Sequence, residues 1–196
     1  MNKKIVGSLV LIAAACVLVA AAYNSLIRSN EAANTAWAQV QNAYQRRFDL
    51  VLNLVETVKG YAAHEKSTFT EVTEARSSVS RIANNVKPET LNDPAGFKKF
   101  QDAQETMGSA LGRLLLIVER YPELKANENF LALQSQLEGT ENRIAVERRR
   151  FNEAIKAYNI KIKQFPTNIF AAIFHFEEKV YFEANEGANL APVVKF

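Results

Sequence analysis

The chain has 196 residues, a formal net charge of +3 and a single cysteine. So small a charge removes the electrostatic case for nucleic-acid binding, and one cysteine excludes an intramolecular disulfide while leaving the compartment undecided. With only seven glycines and five prolines, the composition favours helix over sheet, and we read an all-α chain of one domain plus an anchor.

Asn2-Lys3-Lys4 precedes a run of eighteen uncharged, mostly apolar residues, Ile5 to Ala22. As helix that run spans ~27 Å, just enough for a bilayer core. Three readings compete: an uncleaved transmembrane anchor, a signal peptide cleaved near Ala20-Ala21-Ala22, or a lipoprotein modified at Cys16. The last is poorly matched by Ala13-Ala14-Ala15, since a larger aliphatic usually opens that motif. Between Ser8 and Lys59 there is neither glycine nor proline, so an anchor helix can run straight into the first helix of the body. Lys3 and Lys4 outnumber Arg28 beyond the span, which puts the N-terminus in the cytoplasm and the body outside.

The body reads as four amphipathic helices. Trp37, Val40, Tyr44, Phe48, Val51, Leu54, Val55 and Val58 form a seven-residue pattern of the coiled-coil kind, and Gly60 is the first stop. Continuation of the helix through Gly60 is the alternative, because one glycine costs a helix only ~1 kcal/mol. A second helix uses Phe69, Val72, Val79, Ile82 and Val86, and Val86–Pro94 reads as a loop. The third, from about Ala95 to Tyr121, carries Phe97, Phe100, Met107, Leu111, Leu114 and Val118. Its Gly108 and Gly112 point to close backbone approach by a neighbour. Pro122 ends it, and the longest element opens near Asn127 and reaches Phe165. There Phe130, Leu137, Ile144, Phe151, Tyr158 and Phe165 recur every seventh position, widened by Leu133, Ala154, Ile155 and Ile162. Short connections favour antiparallel neighbours and an up-and-down four-helix bundle. The expected organisation is 1–4 as a cytoplasmic N-terminus, 5–23 as membrane helix, 24–166 as bundle and 167–196 as an apolar and polar tail.

Several motifs together resemble the LemA family. They are Ala36-Trp37-Ala38-Gln39-Val40, Arg46-Arg47-Phe48-Asp49-Leu50, the run Asn53–Glu65, Val72–Arg76, Ala110–Leu114, Tyr121–Phe130, Leu137–Ala145 and Phe165–Asn168. Where many members carry Ile-Pro, this chain has Val51-Leu52, which removes their kink from helix one. The resemblance implies a bacterial protein with one N-terminal membrane helix and a bromodomain-like helical bundle. It supplies no catalytic residues, since no enzymatic activity is established for the family. Family descriptions often put the bundle in the cytoplasm, whereas the charges of this chain favour the periplasmic side of the inner membrane.

An enzyme reading finds little purchase. A helical di-iron site needs Glu-x-x-His pairs, but Tyr61 precedes His64 at that spacing and Ala172 precedes His175. Two histidines and no usable cysteine speak against zinc, and there is no glycine-rich phosphate loop. No cofactor or metal is expected. Three groups of residues draw notice instead. His64, Glu65, Tyr121, Lys125, Asn127 and Asn129 gather at the distal end, either as caps and loop hydrogen bonds or as a docking patch for a partner or anion. Arg47, Asp49, Glu138 and Glu141 fall at similar heights on helices one and four, which predicts a partly buried charge network serving register. Ile169, Phe170, Ile173, Phe174 and Phe176 form an apolar tail segment too short to cross a bilayer. It packs on the bundle's own base, on another subunit, or on the membrane surface.

The function this supports is a non-enzymatic, membrane-anchored scaffold that homo-oligomerises and presents its bundle to an unidentified protein partner. Close helix approach at Ala13, Ala14, Ala21 and Ala22 favours association. The rival is a monomeric ligand-sensing module that signals through the continuous helix.

Overall fold

The computed structural model describes residues 3–83 and 88–183, and every regular element among them is helical. These are α1 (Lys3–Lys59), α2 (Lys66–Ala83), a 3-10 turn (Pro88–Asn92), α3 (Pro94–Val118), α4 (Pro122–Lys125), α5 (Glu128–Lys163) and α6 (Thr167–Ile173). Val86 and the stretch Gly187–Phe196 lie outside the described residues.

α1 is one unbroken helix of 57 residues, ~85 Å long. Ile5–Leu18 is exposed throughout, and burial starts only at Leu26. From there Ala33, Trp37, Val40, Tyr44, Val51, Leu54 and Val58 turn inward at helical spacing. The helix ends at Lys59, where the Val58 carbonyl accepts from the N–H groups of Tyr61 and Ala62. The chain then reverses into α2, so the path through Gly60 does not occur.

α5 runs antiparallel to α1: Leu26 shares a core with Tyr158 and Ile162, Trp37 contacts Phe151, and Arg47 meets Glu141. α2 and α3 form a second antiparallel pair, tied by Arg120 to Glu65 (3.1 Å) and by Arg113 to Glu71. Val51, Val72, Met107 and Phe130, from α1, α2, α3 and α5, all belong to one distal core. Below it is an aromatic layer in which Trp37 sits 5.3–5.8 Å from Phe97, Phe100 and Phe151, with Leu91 and Phe182 completing it. A small basal core joins Leu26, Tyr158, Ile162 and Ala171.

Local chemistry sets the helix ends. The Asp93 side chain accepts from the Ala95 N–H and caps α3. A Cβ at position 96 would sit 2.5 Å from that carboxylate, which explains Gly96. α3 stops at Val118 rather than at Tyr121, because the residue before Pro122 is driven out of the helical region (Tyr121 φ −122°, ψ 85°). Asn127 caps α5 by accepting from the Phe130 N–H at 3.0 Å. α5 ends at Lys163, so Phe165 leaves the stripe assigned to it and is 76% exposed. The expected loop before α3 contains the 3-10 turn Pro88–Asn92, whose Leu91 is fully buried in the aromatic layer.

One feature is absent from the sequence reading. After α6 the chain runs back along α5 in extended form from Phe176 to Glu183. Two asparagines of α5 hold it by reciprocal hydrogen bonds. Asn159 donates to the Lys179 carbonyl (2.8 Å) and accepts from its N–H (3.0 Å), while Asn152 does the same at Phe182 (3.0 and 2.9 Å). Seven helical residues rise ~10.5 Å and three extended residues ~10 Å, so the two periods coincide. The Val180 N–H reaches the Leu91 carbonyl at 2.8 Å, and the Tyr158 hydroxyl donates to the Glu177 carbonyl at 2.9 Å. This strap seats Phe182 against Trp37, Phe97 and Phe151.

Candidate functional site

A polar cleft of about 630 Å³ opens beside the aromatic layer, between α3 and α5. Tyr44 and Arg47 of α1, Gln101, Gln104 and Gly108 of α3, and Glu141 and Arg148 of α5 line it, with Glu183 of the strap at one edge. Gly108 and Gly112 do not serve close packing, as the sequence reading had it: both are exposed, and a Cβ at either would meet nothing within 4 Å.

Arg47 is the pivot. It is 5% exposed, and an arginine so buried needs its donors satisfied. Nη1 donates to Glu141 at 3.2 Å; Nη2 donates to the backbone carbonyl of Gln104 at 3.3 Å and to its side-chain oxygen. The guanidinium lies 5.0 Å from the Tyr44 ring centre. Burial pushes the Tyr44 phenol above its ordinary range, against the pull of Arg148 and Arg47. The strap closes the edge, its Glu183 carbonyl accepting from Gln101 (2.9 Å) and Arg148 (3.0 Å).

Of the four residues assigned to a charge network, Arg47 and Glu141 meet; Asp49 and Glu138 do not join them. Asp49 is exposed and accepts from Gln45, and Glu138 is exposed and accepts from Gln134. Each turns to its own helix because a partner four residues away costs little order to reach. The missing member is Gln104 on α3. Glu147, also missed, is buried and held by Arg150 at 2.9 Å and Arg143 at 3.8 Å.

At the distal end, Glu65 accepts from the Tyr121 hydroxyl (3.4 Å) and pairs with Arg120. Asn127 donates to the Tyr61 hydroxyl at 2.9 Å, and Lys125 pairs with Glu119. His64 and Asn129 are exposed. The group is thus gathered at one end, where Glu65, Tyr121, Lys125 and Asn127 each have a polar partner.

At the base, Ala171 is buried and Phe170 and Phe176 pack on Leu26, Tyr158 and Ile162. Ile169, Ile173 and Phe174 remain exposed. Phe174 lies edge-on to Tyr23 of α1, ring centres 4.9 Å apart. The tail segment therefore divides between two faces.

Comparison with known proteins places these features in a wider group. The chain is similar to the magnetosome protein MamQ 2 of Paramagnetospirillum magneticum (strain ATCC 700264 / AMB-1), 28% identical over 186 residues, 88% of this chain and 68% of that protein. MamQ of Magnetospirillum gryphiswaldense is 29% identical over the same shares. Protein LemA of Metamycoplasma hominis is 26% identical over 164 residues, 83% of this chain and 69% of that one. The LemA family model matches residues 36–196, which takes in α1 from Ala36 onward, α2 to α6 and the strap. On that match the chain belongs to the LemA family.

Proposed function

We propose that the protein is a non-enzymatic, membrane-anchored scaffold whose up-and-down bundle is held at the membrane by α1 and presented to protein partners. The observation that carries this reading is the division of a single helix. Ile5–Leu18 is exposed and apolar, whereas the stretch from Leu26 onward supplies the core of the bundle. With Val19–Ala22 the run reaches the length of a bilayer core, which supports lipid as its solvent. Lys3 and Lys4 against Arg28 support an inner-membrane anchor with the bundle on the periplasmic side. The small side chains at Ala13, Ala14, Ala21 and Ala22 support homo-oligomerisation through the anchor, where small residues let helices approach. Subunits sharing one orientation in a membrane would form a cyclic assembly.

The non-enzymatic reading is supported by two acids of the cleft that are already engaged, Glu141 by Arg47 and Asp102 by Lys98. The cleft also motivates a second reading, a module that senses a small polar solute and signals along α1. The filled aromatic layer behind it favours the scaffold.

Proteolysis of intact spheroplasts tests the placement: digestion of the bundle supports the periplasmic side, and protection reverses it. Cross-linking in the native membrane tests assembly. Protein that remains monomeric there, and on detergent extraction across concentrations, removes the oligomer from the proposal.

A further inference from the structure

The base of the bundle carries an apolar face that the rest of the molecule leaves uncovered. α6 turns Ala171 and Phe170 toward the basal core. On its other side Ile173 is 61% exposed, and Ile169 and Phe174 are exposed with it. Ile169 and Ile173 stand four apart on α6, the spacing of one helical face. In water such a face is unfavourable in proportion to its area.

Its position decides what covers it. Phe174 contacts Tyr23, the first residue after the apolar run, and Phe176 lies 6.3 Å from the same ring. Phe174 also walls a shallow apolar groove with Ile12, Cys16, Val19 and Ala20. The exposed face is therefore continuous with the flank of the apolar run. Immediately above it the surface becomes charged: Arg28 is exposed, Lys161 reaches the Ser25 carbonyl at 3.4 Å, and Lys163 pairs with Glu178. Apolar and aromatic groups below, tyrosine at the boundary and charged groups above are the order of a membrane interface.

The backbone is suited to that place. α6 closes with the Phe176 N–H on the Ala171 carbonyl (2.9 Å) and the His175 N–H on Ala172 (3.4 Å), with His175 in the left-handed region at φ 56°. The Ala171 and Ala172 carbonyls thus have partners without water. A second copy is a poorer occupant. Three side chains of this size offer roughly a few hundred Å², short of the ~800 Å² per partner of a stable interface.

We propose that α6 is an interfacial membrane anchor: Ile169, Ile173 and Phe174 insert at the headgroup–acyl boundary beside the span. This rests on the reading of Ile5–Ala22 as that span. The full chain then has two membrane contacts, one crossing and one lying flat, and together they fix the tilt of the bundle.

Site-directed spin labels on the full-length protein, in a Cys16→Ala background, test this in vesicles of phosphatidylethanolamine and phosphatidylglycerol. Labels go at Ile169→Cys and Ile173→Cys, with Leu11→Cys in the span and Leu131→Cys at the far end of α5 as references. Circular dichroism verifies that each variant retains its helix. The expected result is that positions 169 and 173 resemble position 11, open to oxygen and shielded from a water-soluble nickel chelate, with α6 buried ~5–10 Å into the boundary. If they resemble position 131 while position 11 stays in lipid, the inference is overturned and the anchor survives. If position 11 is itself open to the chelate, the span fails and the inference falls with it. Labels shielded from both reagents, or coupled to one another between copies, assign the face to a protein contact and overturn it.

Discussion

Asn159 and Lys179 face each other as if each were the other's neighbour in a β-ladder: the asparagine amide donates to the lysine carbonyl and accepts from its N–H, at 2.8 and 3.0 Å. Both residues are buried. A side-chain amide here substitutes for the backbone of a second strand, which a helix cannot offer.

Replacing Asn159 with alanine leaves the Lys179 N–H and carbonyl buried without partners. The expected loss is ~2–4 kcal/mol, from two abandoned groups. A direct measurement is limited trypsin digestion, because Lys179 is protected only while the strap is seated. Cleavage after Lys179 should become fast in Asn159→Ala, and unchanged cleavage would remove the strap's dependence on this pair.

Arg47 and Glu141 should respond unequally to mutation. Arg47→Ala strips the buried Gln104 of its partner and forfeits charge-assisted bonds, at ~2–3 kcal/mol. Glu141 is half-exposed, so Glu141→Gln should cost under ~1 kcal/mol once solvent screening is included. Urea unfolding of both variants checks the ordering; equal losses would mean that the ion pair, not the bond to α3, holds the arginine.

Burial, with help from the charge of Glu177, pushes the Tyr158 phenol up to about 12 from its usual 10. The fold therefore favours the neutral form, which alone can donate to the Glu177 carbonyl. Stability from this group is complete below pH ~10 and is lost as pH climbs toward 12, by up to ~3 kcal/mol. Tyr158→Phe should be about 1 kcal/mol less stable than wild type at neutral pH. Above pH ~10 the difference should shrink and then change sign, as read from chemical melts at each pH.

Gly112→Ala and Gly108→Ala should each stabilise the protein by ~1 kcal/mol, since open space surrounds both positions and alanine is the better helix former. A loss in thermal midpoint would restore the close approach that their spacing invites one to infer.

The long helices were legible because they bury a stripe with a fixed period: Trp37 to Val58 and Phe130 to Tyr158 are inward as their spacing requires. Arg47 with Glu141 could be anticipated by counting residues from the turns, since two antiparallel rods with known ends have a calculable register. Gln104 could not, because its height on α3 depends on a helix end that Pro122 moved back to Val118. The strap was illegible for a different reason. An extended segment bonded to helix side chains has no ladder partner and no hydrophobic period of its own. Its only trace is Asn152 and Asn159, two polar residues seven apart beside the apolar stripe. Phe165 misled because the seven-residue pattern continues in the letters after the helix has stopped at Lys163.

No glycine, proline or change of path interrupts α1 after Ala22, and 37 residues follow, through Lys59. With Ile5–Ala22 as the span, that length carries the distal turns ~55 Å from the lipid. Because the shaft has no joint, any torque on the distal turns is delivered to the lipid end as rotation or tilt. A proline at position 52 would insert a bend part-way up that lever and uncouple its two ends.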